Sequence, residues 1–85
     1  MNERTETTDK RRRILSYIRS YTTAKEYPPS IEDIANALHM PKPTVNYHII
    51  LMERDGILKP RPKVQGRAMN RFLQLTRKAQ AYFND

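Results

Sequence analysis

The sequence predicts a mainly α-helical fold with a small β-hairpin, its elements ordered helix, helix, helix, strand, strand, helix. Three observations lead there. Apolar residues recur at helical spacing in three separate stretches. Prolines and glycines punctuate the chain between them, at Pro28-Pro29, Pro41, Pro43, Gly56 and Gly66. Near the end, Met69 to Leu75 alternates with the period of a strand.

Residues 1–8 are polar and show no apolar period, so they are expected to form a flexible N-terminal arm, leaving 9–85 as the folded domain. A first helix is expected from Asp9, a suitable N-cap, to Ala24, with Ile14, Leu15, Ile18 and Tyr21 on one face. The cluster Lys10-Arg11-Arg12-Arg13 lies at the unfavourable end of that helix for its dipole. It fits a helix start that faces a phosphate, and equally a solvated one.

Pro28-Pro29 forces an extended connection. Ser30 then caps a second helix, Ile31 to Leu38, with Asp33 placed three residues on as in a capping box. Ile34, Ala35 and Leu38 form its buried face. His39-Met40-Pro41 makes a tight turn, and Pro43 suits the first turn of a third helix running to about Asp55. Val45, Ile49 and Met52 are the core stripe of that helix, and Gly56 ends it. Two helices of this length joined by a short turn make a helix-turn-helix over residues 30–55.

Ile57-Leu58 begins a strand framed by Pro60 and Pro62, and Gly66 supplies a turn. The returning strand puts Met69, Arg71, Leu73 and Leu75 on one side and Asn70, Phe72 and Gln74 on the other. Thr76 caps a last helix, Arg77 to Phe83. A basic hairpin following a helix-turn-helix defines a winged helix-turn-helix, with the wing over residues 57–75.

The 85 residues carry a net charge of +7, and the excess is uneven. Residues 1–40 hold seven basic and six acidic side chains, whereas residues 41–85 hold nine and three. From Gly56 to Lys78 there are seven basic residues and no acid. A field of one sign concentrates polyanions and releases their counterions on binding. With no cysteine, disulfides and thiolate metal sites are excluded. His39 and His48 have no accompanying ligand cluster, so no metal is expected. No nucleophile–base pair, phosphate loop or carboxylate cluster is visible, so neither an enzyme nor a cofactor is expected. There is no apolar run of the roughly 20 residues a membrane span requires, and no signal-peptide core. The expected location is therefore cytoplasmic, associated with the nucleoid.

Several segments resemble known DNA-binding families. Ile14-Leu15-Ser16-Tyr17-Ile18, together with Tyr27-Pro28-Pro29-Ser30-Ile31-Glu32-Asp33-Ile34-Ala35, is similar to the amino-terminal DNA-binding domain of LexA-type repressors. Thr44 to Ile49 and Glu53 to Leu58 resemble the third helix and first wing strand of the wider MarR and ArsR-like winged-helix families, as Leu75 to Ala79 resembles their closing segment. The resemblance implies that the third helix enters the major groove and that the wing touches backbone or minor groove. The chain departs from the LexA pattern in a third-helix entry one residue shorter, and in His39 and Glu26 at two positions often held by glycine. It also ends where the self-cleaving domain of LexA would begin, so autocleavage is not expected of it.

On the third helix the candidate DNA readers are Lys42, Thr44, Asn46 and Tyr47. Lys42 suits a phosphate or guanine, Thr44 a thymine methyl or a phosphate, and Asn46 the paired donor and acceptor of adenine. Tyr47 can stack or bond a phosphate. Each could instead be an ordinary solvated residue. His48, beside the core stripe, is expected to pack. Ile50 and Leu51 either lie beneath the wing or meet a protein partner. In the wing, Lys59, Arg61, Lys63, Arg67 and Arg71 are expected to reach phosphates. Tyr82 and Phe83 are candidates for homodimer contacts, or for packing on the first helix.

The leading expectation is a sequence-specific double-stranded-DNA-binding transcriptional regulator, a repressor. The alternatives are a replication or plasmid-control protein using the same contacts, or a small protein-interaction adaptor of a mobile element or virus.

Overall fold

The computed structural model describes residues 3–64, 67–68 and 73–83. Helix α1 spans Glu3–Lys25, α2 Ile31–Leu38 and α3 Lys42–Arg54. Two short strands follow, β1 at Lys63–Val64 and β2 at Arg67–Ala68, and a 3-10 helix over Arg77–Tyr82 closes the chain.

The first helix begins six residues earlier than its apolar spacing indicates, so the stretch expected to be an arm is helical from Glu3, and Asp9 is an exposed residue inside α1 rather than its cap. Periodicity reports only the part of a helix that packs. The acids Glu3, Glu6 and Asp9 suit the positive end of the helix dipole without producing an apolar face.

α1 ends where Glu26 adopts a left-handed backbone, φ 67°, with its N–H bonded to the Thr22 carbonyl at 2.8 Å. Pro28-Pro29 then carries the chain to α2, whose start is closed by a reciprocal capping box. The Asp33 N–H donates to Ser30 Oγ and the Ser30 N–H to Asp33 Oδ2, both at 3.0 Å. α2 ends on His39, also left-handed at φ 55°, and the Met40 N–H reaches back to the Ala35 carbonyl at 3.0 Å. This bond belongs to a Schellman ending, in which the left-handed residue turns the chain sharply. The next helix starts three residues later at Lys42, with Pro43 in its first turn, where the missing N–H costs nothing.

α3 closes in the same way on Gly56, φ 80°. The Ile57 N–H bonds the Met52 carbonyl at 2.9 Å and the Gly56 N–H bonds the Glu53 carbonyl at 3.2 Å. The chain then runs against residues 74–76. Leu58 and Leu75 form an antiparallel bridge, flanked by bonds from Lys59 N–H to the Gln74 carbonyl (2.9 Å) and from Thr76 N–H to the Ile57 carbonyl (3.0 Å). Beyond it, β1 pairs with β2 antiparallel, Lys63 opposite Ala68 and Val64 opposite Arg67. The turn expected at Gly66, and the Met69–Phe72 part of the alternating stretch, lie outside the described residues.

The core gathers Ile14, Leu15 and Ile18 of α1, Ile31, Ile34 and Ala35 of α2, Val45, Ile49 and Met52 of α3, then Ile57, Leu58, Leu73 and Ala79. Helices α2, α3 and the closing 3-10 helix thus share one core with the Ile14–Ile18 face of α1. Two expectations for the last segment are corrected. It is a 3-10 helix, and the Thr76 hydroxyl does not cap it. The hydroxyl instead clips the segment to the end of α3, bonding the carbonyls of Gly56 (2.5 Å) and Ile57 (2.9 Å).

His39 and Glu26 are left-handed without being glycine, a conformation that costs an L-residue about 1–2 kcal/mol. Glycine avoids that cost and gives back about 0.5–1 kcal/mol in chain entropy. His39→Gly is therefore expected to stabilise the domain by up to about 1 kcal/mol, a rise in Tm of a few degrees. Thermal unfolding checks this. A lower Tm would mean that the His39 side chain contributes more than its backbone costs.

Candidate nucleic-acid interface

α3 has two faces of opposite character. Val45, His48, Ile49 and Met52 are buried against the rest of the domain. Lys42, Pro43, Asn46, Tyr47, Ile50 and Arg54 are exposed. Pro43, Asn46, Tyr47 and Ile50 fall at i, i+3, i+4 and i+7, so they line one side of the helix. Of the four expected readers, Lys42, Asn46 and Tyr47 point to solvent and Thr44 is half-buried. Among the described residues Tyr47 is the most exposed large apolar residue at 60%, with Ile50 at 49%. Leu51 is half-buried at the edge of this face.

His48 packs, as expected of its position. It is 6% exposed, its Nδ1 is buried without a hydrogen-bond partner, and its ring meets Tyr47 edge-on with centroids 5.5 Å apart. Burial lowers its pKa below the ordinary 6.5, and the positive charges of Lys10 and Arg11 on α1 lower it further.

Arg61 corrects the reading of the wing. It was expected to reach a phosphate, but it is buried and clamped by Glu53 of α3. Its Nε donates to Glu53 Oε2 at 2.8 Å, its terminal nitrogen to Oε1 at 3.2 Å, and its backbone N–H to Oε2 at 3.0 Å. A guanidinium held bidentately by a carboxylate is not available to a phosphate. Lys59 is exposed beside it. Lys63 and Arg67 sit on β1 and β2. Arg71 lies outside the described residues.

The basic cluster of α1 lies well inside the helix rather than at its start, and its members differ in use. Arg11 bonds Asp55 Oδ2 at 3.4 Å, past the end of α3, and reaches the Tyr82 hydroxyl at 3.5 Å. Arg13 donates to the Leu38 carbonyl at 3.2 Å, satisfying an orphan acceptor at the end of α2. Lys10 and Arg12 remain exposed. Of the two expected dimer contacts, Tyr82 meets Arg11, and Phe83 lies under the Arg19 guanidinium, 3.8 Å from ring centroid to carbon. Both therefore pack on α1. The roles of Glu53 and Arg11 as internal clamps had no signal in the sequence, because charge at a surface-compatible spacing looks the same whether solvated or paired.

Residues 4–68 match the LexA DNA binding domain family. Over 56 residues the chain is 32% identical to the LexA repressor of Thermosipho melanesiensis, covering 66% of this chain and 28% of that protein. It is 38% identical over 53 residues to the LexA repressor of Pseudothermotoga lettingae, covering 62% and 26%. Against the LexA repressor of Corynebacterium jeikeium it is 41% identical over 51 residues, covering 59% and 19%. The similarity thus spans about a quarter of each relative or less. No described helix is long and apolar enough to cross a membrane.

Two predictions follow from the buried groups. Breaking a buried ion pair costs about 3–5 kcal/mol, and Glu53 keeps some solvent contact. Arg61→Ala is therefore expected to destabilise by about 3 kcal/mol, and Lys59→Ala by less than about 0.5 kcal/mol. Denaturant unfolding of both variants decides, and similar losses would return Arg61 to the surface. His48 takes up a proton less readily folded than unfolded, so falling pH favours unfolding from the unfolded value of 6.5 down to the lowered folded value. Between about pH 7.5 and about pH 5.5 the native protein should lose more Tm than His48→Gln. Parallel profiles would show that His48 is not the titrating group.

Proposed function

The chain belongs to the LexA DNA binding domain family, and on that premise we propose that it is a sequence-specific duplex-DNA-binding repressor that acts by occupying an operator. α3 enters the major groove, and the segment around β1 and β2 serves as a wing on the adjacent backbone or minor groove.

The observation that carries this reading is the division of α3. One face is fixed to α1 and α2 by four buried side chains, and the opposite face presents Lys42, Asn46 and Tyr47 to solvent. A reading helix must be held rigidly while its side chains stay free to meet base edges. The capping box and the left-handed His39 hold α2 and α3 at a fixed angle, so the exposed side chains approach the groove together.

The parts have separate roles. Lys42, at the first turn of α3, meets a phosphate or the O6/N7 edge of guanine. Thr44 is half-buried, which leaves it a supporting contact. Asn46 pairs with adenine N6 and N7. Lys59, Lys63 and Arg67 neutralise phosphates, which adds affinity without sequence preference. Arg61 shapes the base of the wing and takes no part in contact.

Asn46→Ala is expected to cost about 1–3 kcal/mol on the preferred duplex and little on random sequence. Arg67→Ala should weaken binding to both alike and lower the salt slope by about one unit. Selection of bound duplexes from a random pool supplies the preferred site, and binding isotherms across salt concentrations supply the rest. Equal effects of the two substitutions on both duplexes would overturn this division of roles.

A further inference from the structure

We infer that Tyr47 and Ile50 together form an apolar reading surface for thymine methyl groups in the major groove; the inference rests on the placement of α3 proposed above.

The exposed face of α3 is not uniformly polar. Pro43, Tyr47 and Ile50 make a continuous apolar stripe at i, i+4 and i+7. Single exposed apolar residues need no explanation, but a contiguous stripe on a helix calls for an occupant. Its surroundings indicate which one. Lys42 stands exposed at the start of the helix, Arg54 at its end and Lys59 just beyond. The two acids nearby are already engaged, Glu53 by Arg61 and Asp55 by Arg11 and Arg54. The partner must therefore be polyanionic at its rims and apolar between them. A duplex groove has phosphates along both edges, and its floor offers an apolar group only at the C5 methyl of thymine.

The other base edges do not suit these side chains. Ile50 has no donor or acceptor, so pressing it against guanine O6 and N7 or cytosine N4 would strip water from polar atoms and return nothing. Against a methyl group the same burial is favourable, worth about a fourfold change in affinity for each methyl removed from water. The spacing fits as well. Tyr47 and Ile50 are separated by about 4.5 Å along the helix axis, against about 3.4 Å per base-pair step, so the two address neighbouring steps. The Tyr47 ring is steadied by its edge-on contact with the buried His48. It thus offers a positioned flat surface rather than a free rotor.

The test uses two duplexes, each two helical turns of alternating A·T sequence, one built with thymine and one with deoxyuridine in its place. Uracil keeps every hydrogen-bonding edge and lacks only the methyl. The native protein is expected to bind the thymine duplex at least about fourfold more tightly. In Ile50→Ala and Tyr47→Ala that ratio should fall toward one, whatever their affinity for the uracil duplex. Both residues are exposed, so the substitutions leave the core intact. Equal affinity of the native protein for the two duplexes would overturn the inference. So would a preference for thymine that survives both substitutions, which would assign it to DNA shape. Failure to bind either duplex at low salt would instead overturn the DNA-binding reading itself and assign the stripe to a protein partner.

Discussion

Glu53 accepts three hydrogen bonds from Arg61, two from the guanidinium and one from its backbone N–H. Much of the second half of the chain depends on this arrangement. Glu53 is next to last in α3, and its carboxylate fixes where residues 59–61 leave the helix. Nearby, the Schellman bonds at Gly56 turn the chain, and Thr76 bonds the carbonyls of Gly56 and Ile57. The end of α3, the base of the hairpin and the start of the closing helix are thereby joined at one point. An ion pair of this kind does not add much net stability, because both charges had to leave water. Its value lies in geometry: a bidentate fork has one orientation, so the hairpin can leave α3 in only one direction.

The other half of the chain is fixed by helix endings. Three helices end on left-handed residues, Glu26, His39 and Gly56, and only the last is glycine. At the other two the fold accepts backbone strain so that a short connection can turn sharply. The gain is compactness. Three residues separate α2 from α3, and the capping box lets α2 begin immediately after Pro29. Both joints are stiff, so the Lys42–Arg54 helix is carried as a rigid projection of α1.

These joints were also the most legible part of the sequence. Proline pairs, a serine three residues before an acid and a glycine after an apolar stripe each have one dominant structural consequence, and all placed their elements within a residue or two. His39 and Glu26 could be flagged only through the resemblance to LexA-type repressors, in which glycine often holds those positions. Three other features were not legible. The start of α1 has no apolar face, so hydrophobic spacing is silent there. The closing segment has apolar residues at helical spacing, but the same spacing serves a 3-10 turn of that length. Arg61 looked like any other wing cation, because its burial depends on Glu53, eight residues away and on another element. Sequence reasoning located the exposed face of α3 because that face is the complement of a core stripe, and a core stripe can be read directly. It could not sort the cations, since charge alone does not reveal a partner.

The sorting changes what the basic character of the chain means. Arg11, Arg13, Arg19 and Arg61 are engaged within the domain, with Asp55, the Leu38 carbonyl, Phe83 and Glu53. They are structural cations, but only Arg11 and Arg61 are offset by carboxylates; Arg13 and Arg19 meet uncharged groups and keep their charge at the surface. The described cations left exposed include Lys10, Arg12, Lys42 and Lys59, mostly lysines. Lysine meets a phosphate as a hydrated point charge, whereas arginine imposes a planar geometry. Several of the geometrically demanding cations thus help to build the domain, while Lys10, Lys42 and Lys59 stand exposed beside Arg12. On the proposed reading, the exposed cations would attach loosely to phosphates at the groove's rims, and discrimination would fall to the uncharged residues between them, Asn46, Tyr47 and Ile50.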